Sequence, residues 1–93
     1  MNKITTEKNE YKLIKNYKEG FNKDIFLEKY TDFFDDYDYI LGDFAYDKLR
    51  LKGFCNKENK LFNKINDKNN IDKYILEDCA YECRYFILEK IKK

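Results

Sequence analysis

Lys48, Arg50 and Lys52 stand two residues apart in KLRLKGF, with Leu49 and Leu51 between them. Side chains alternate across a strand, so this spacing puts the cations on one face and the leucines on the other. Cations about 7 Å apart along a strand could meet successive phosphates. Tyr46 and Phe54, at either end, could stack bases as strand platforms do with single-stranded RNA. The plainer reading is a solvated strand face with Arg50 paired to Asp43 across a hairpin. Asp43 itself follows Gly42 in an otherwise apolar run. A strand glycine signals a bulge or a close backbone approach, and the carboxylate beside it could meet a partner's amide or guanidinium. The plainer version is a bulge that turns the hairpin over a helix.

Other reactive residue types point nowhere as sharply. Cys79 and Cys83 are four apart and Cys55 is a lone third. Structural zinc takes four Cys or His ligands in short paired spacings, and this chain has no histidine. A three-thiolate site with a carboxylate, built around Cys79 and Cys83, is the weak alternative. A redox pair lacks its Cys-x-x-Cys spacing, which leaves buried small hydrophobes at a helix-to-strand junction as the expectation. Asp32, Asp35, Asp36 and Asp38 lack the alternation and glycine of a calcium loop. They read as a solvated helix end or a docking surface for a basic partner. Without His, Ser or a Gly-rich phosphate loop, neither catalysis nor a cofactor is expected.

These residues sit in a chain of 93, the length of one domain. Its 43% hydrophobic and 18% aromatic content suffices for one small core despite 40% charge. Val, Trp, Pro, His, Ser and Gln are absent, a bias that suggests an AT-rich genome and warns against reading every Lys or Asn as functional. The net charge of +1 gives no general attraction to nucleic acid or membrane. Its distribution is bipolar. The segment 32–47 holds six acids and no base, and 48–93 holds twelve bases against seven acids. No apolar run reaches membrane-span length and no signal-peptide core follows Met1. The expected location is cytoplasmic, with reduced cysteines.

Residues 1–10 read as a polar, frayed tail before a single domain over 11–93. Tyr11–Tyr17 is a strand candidate ended near Gly20. Asn22 suits a helix N-cap, with Asp24 in the first turn and Phe21 and Phe26 at the staple positions. Phe26, Tyr30, Phe33 and Tyr37 recur at helical spacing. Acids crowd the end of that helix, where the dipole disfavours them, so either it stops near Tyr30 or the acids serve another purpose. The hairpin 39–54 follows, then a polar loop over 55–70 containing a short edge strand. Asn70 caps a second helix, with Ile71, Tyr74, Ile75 and Cys79 on one face. Arg84–Ile91 is a final strand covered on both sides. The expected fold is α+β, a small, mostly antiparallel sheet carrying two helices, in the order β-α-β-β-(β)-α-β.

The runs YKLIKNYKEGFN, FLEKY, YDYILGDFAYDKLRLKGF and CAYECRYFILEK resemble the YutD-like proteins of low-GC Gram-positive bacteria. The match spans roughly residues 11–54 and 74–90, with Gly42-Asp43, the run from Leu49 to Phe54, and the Cys79/Cys83 pair in order. Glu82 departs from the pattern, standing where a small residue, often glycine, precedes the second cysteine. The resemblance implies a soluble cytoplasmic α/β domain from a family without an established biochemical activity. The expected function is a small interaction or regulatory module that binds a protein partner. The alternative is association with structured RNA, such as a ribosomal element, through Lys48, Arg50 and Lys52. The expected contact surface is the hairpin, with Asp43, Tyr46, Arg50, Lys52 and Phe54. An uncovered sheet edge would also admit homodimerisation.

Overall fold

A computed structural model describes residues 3–45, 47–78 and 83–91. In chain order it contains β1 (Lys3–Thr5), β2 (Glu10–Tyr17), α1 (Lys23–Lys29), β3 (Tyr39–Ala45), β4 (Lys48–Phe54), α2 (Ile71–Asp78) and β5 (Tyr85–Lys90). Single turns of 3-10 helix lie at Asp32–Phe34 and Lys68–Asn70. The strands form one antiparallel sheet in the order β1-β2-β5-β3-β4. Both crossovers are helical: α1 carries the chain from β2 to β3, past the slot that β5 fills last. The fold is α+β, as expected from the sequence.

Alternation along the strands sorts the apolar side chains into two cores. Ile40, Leu49, Phe86 and Leu88 point to the α1 side and meet Ile4, Tyr11 and Phe26. Leu41, Phe54 and Ile87 point the other way and pack with Ile71, Tyr74 and Ile75 of α2. Each helix thus covers its own face. The run Tyr85 to Leu88 could stay apolar without alternating because β5 is central, with Phe86 and Ile87 committed to opposite cores.

Local chemistry explains the boundaries. Asn22 caps α1, its Oδ1 accepting from Ile25 N at 3.1 Å. The flanking Phe21 and Phe26 rings approach to 5.9 Å between centroids. The helix ends at Lys29, so the acids follow it and do not sit on its negative end. Gly42 involves no bulge: β3 runs in unbroken register with both neighbours. It is the close approach that holds, because an added Cβ would enter the ring of Phe86. The bulge lies in β2, between Leu13 and Lys15.

Three further expectations are corrected. The leader is not wholly frayed, since Ile4 is buried and β1 pairs with residues 10–12. The loop after β4 holds no strand among the described residues, only a parallel bridge between Cys55 and Asp67. It is built instead from short polar side chains folding onto nearby backbone, which satisfies a loop without sheet pairing. Asn63 Oδ1 accepts from Ile65 N and Asn66 N, and Asn66 Nδ2 donates to Leu61 O, each at 2.8 Å. Finally, Asn70 does not cap α2. Asp67 caps the 3-10 turn that leads into it, accepting from Asn69 N at 3.0 Å, and Asn70 Nδ2 donates to Lys64 O. Among the described residues no helix is long and apolar enough to cross a membrane.

Candidate functional site: a basic groove between β4 and α2

The even-numbered side chains of β4 face α2, and the helix does not close over them. A groove of about 480 Å³ remains, lined by Arg50, Lys52 and Phe54 of β4, Lys64, Ile65 and Asn70 of the loop, and Lys73, Tyr74 and Glu77 of α2. Four cations and one carboxylate therefore share a single depression. Lys52 lies along its floor, the ammonium 5.3 Å from the centroid of Tyr74 and 5.9 Å from that of Phe54. Such placement lets the aliphatic stem cover the rings and holds the charge at a fixed point.

Arg50 is anchored differently. Its Nε and Nη2 donate to Asp43 Oδ1 and Oδ2 at 3.1 and 2.6 Å, with the carboxylate buried and the guanidinium side chain 46% exposed. The cross-hairpin pair expected from the sequence is present, and it gives Asp43 a structural partner within the protein. Among the described residues Lys52, Lys64 and Lys73 form no ion pair, which leaves their charges to whatever enters the groove.

The loop that supplies Lys64 and Ile65 is fixed by the acidic run. Asp38 is buried, and its Oδ2 accepts from Asn56 N at 2.8 Å and Asn59 Nδ2 at 3.0 Å. Asn59 Nδ2 also donates to Asp36 O. Asp35 accepts from the Tyr30 hydroxyl, which in turn meets Tyr11 Oη at 2.9 Å. Burial first, then the bonds to Asp35 and Tyr11, raises the Tyr30 pKa far above the phenol range. Asp35 and Asp38 are thus internal acceptors, whereas the side chains of Asp32 and Asp36 remain exposed.

Other expected site residues fall as follows. Lys48 is exposed at the start of β4 and does not line the groove. Phe54 is fully buried, its ring edge-on to Tyr74 at 6.0 Å, so it offers no face to a base. Tyr46 and Cys79 lie outside the described residues. Cys83 is disulfide-bonded, which corrects the expectation of three reduced thiols and removes it as a metal-ligating thiolate in this state. Cys55 is free and buried, and burial, with Asp38 beside it, pushes its thiol pKa up. Sequence reasoning missed the contribution of the loop and of α2. The one available signal was the spacing of Lys73 and Glu77, which places both on one side of a helix with Tyr74 adjacent.

Comparison with known proteins agrees with this architecture. A family model described as "Putative antitoxin YutD-like" matches residues 5–89. "Putative antitoxin YutD" of Bacillus subtilis (strain 168) is 40% identical over 90 residues, covering 97% of this chain and 99% of the relative. The solution NMR structure of yutD from B. subtilis superposes with a TM-score of 0.80, over 98% of this chain and 83% of that one. With that identity and coverage, the chain belongs to the YutD-like family.

Proposed function

We propose that this protein is a non-catalytic binding module that acts inside the cell by engaging a protein partner. One observation carries the reading: a relative matched along nearly its whole length is named as a putative antitoxin, a role that is met by binding an antagonist. The absence of His and Ser from the sequence supports it, because the usual general bases and hydroxyl nucleophiles of hydrolases are missing. So does the groove, where three lysines gather with no ion-pair partner among the described residues.

The test is affinity capture of the tagged full chain from its own cells, with and without ribonuclease. The expected result is one identified protein, in stoichiometric amount, that survives nuclease treatment. Recovery of RNA alone, or loss of every protein on nuclease treatment, would replace this reading with RNA association.

A further inference from the structure

The chemistry of the groove narrows the partner. On the protein-binding reading above, we infer that the groove takes an extended acidic segment of the partner. Its carboxylates are held by Lys52, Lys64 and Lys73, and an apolar side chain packs on Ile65.

Charge is the first argument. Lys52, Lys64 and Lys73 line one groove from three different segments of the chain, with Glu77 the opposing charge in its wall. None of the three has an ion-pair partner among the described residues, and like charges gathered in this way raise a local potential that a bound anion relieves. Ile65 is the second. It is 74% exposed, yet its backbone is held, because Ile65 N donates to Asn63 Oδ1 at 2.8 Å and the preceding carbonyl accepts from Asn70 Nδ2 at 2.6 Å. A large aliphatic side chain displayed on a fixed loop beside cations is a pre-organised contact for a chain that carries both acid and apolar groups.

RNA fits less well. The stacking face expected of Phe54 is sealed under Tyr74 and Lys52, Glu77 would repel a continuous phosphate backbone, and the whole chain is nearly neutral. Discrete carboxylates can be spaced to avoid Glu77.

The test is an amide NMR titration of the full chain with the synthetic peptide acetyl-Glu-Glu-Leu-Glu-Glu-amide, its glutamine counterpart and an oligouridylate. The expected result is movement of Arg50, Lys52, Ile65 and Lys73 amides. The acidic peptide should bind about tenfold or more tightly than the glutamine one, weakening with salt. The Lys52→Glu/Lys73→Glu variant should lose that binding, as should Lys64→Glu/Ile65→Ser, which alters only exposed loop side chains. Undisturbed groove amides, tighter binding of oligouridylate, or full affinity in both variants overturns the inference. The captured protein separates the two readings: if it is retained by both variants, the groove assignment falls and protein binding stands. If nuclease abolishes all capture, it is the protein-binding reading that falls.

Discussion

Asp43 and Arg50 face each other across the β3–β4 hairpin through two hydrogen bonds, and only the arginine is open to water. The asymmetry sets what each residue contributes. Arg50→Ala strands a buried carboxylate, at an expected cost of about 1–3 kcal/mol, below a fully buried pair because the guanidinium is half solvated. Lys48→Ala, on the exposed end of the same strand, should change stability by less than about 0.5 kcal/mol. Urea denaturation of the two variants checks this, and equal effects would mean that the pair does not hold the hairpin. Because Arg50 has this structural task, charge reversal there confounds binding with folding.

Gly42 gives a sharper stability test. The Phe86 ring occupies the space that its side chain would take, between strands that are paired on both sides. Gly42→Ala should cost about 2–3 kcal/mol, and adding Phe86→Leu should recover part of that loss by making room. Thermal melts of the single and double variants measure it, and a neutral Gly42→Ala would show that the ring can step aside.

Asp38 binds the loop that presents Lys64 and Ile65. Asp38→Ala leaves the Asn56 amide without its acceptor and releases Asn59, at an expected cost of about 1–3 kcal/mol. Amide exchange should accelerate over residues 56–66 while β5 stays protected. Unchanged protection in the loop would show that its own asparagine turns suffice.

Alkali should destabilise the fold through tyrosines that are wholly or partly buried. Tyr39 is raised from 10.0 to about 12, by burial first and then by its bond to Glu89, and Tyr11 and Tyr30 are also raised. A raised pKa means that the folded state favours the neutral phenol. The contribution is therefore intact below about pH 10 and lost as pH climbs toward about 12. Urea midpoints compared at about pH 9 and about pH 11, with phenolate absorbance recorded alongside, test the sign. Tyr39→Phe should flatten part of the slope.

Much of the fold was legible from short-range pattern. The alternation of Leu49 and Leu51 with Arg50 and Lys52 fixed both strand and facing. Asn22 with Phe21 and Phe26 marked the start of α1, and the unbroken Tyr85 to Leu88 run marked a strand buried on both faces. Local rules carry such features because the neighbours involved are near in sequence. The polar loop was opaque for the opposite reason. Its anchor is Asp38, which is 21 residues from Asn59 along the chain, and nothing in either segment alone announces that bond.

By itself the sequence determined that a two-faced strand with cationic side chains would form, since alternation is a property of the backbone. Whether those cations stood on an open face or beneath a helix was decided only by tertiary structure. Packing of α2 against Leu41, Phe54 and Ile87 buried one proposed contact, Phe54, and brought Lys73 and Tyr74 to the rest. Distant segments meet because the second apolar face of the sheet must be covered, and that demand is set by the whole fold and not by any one segment.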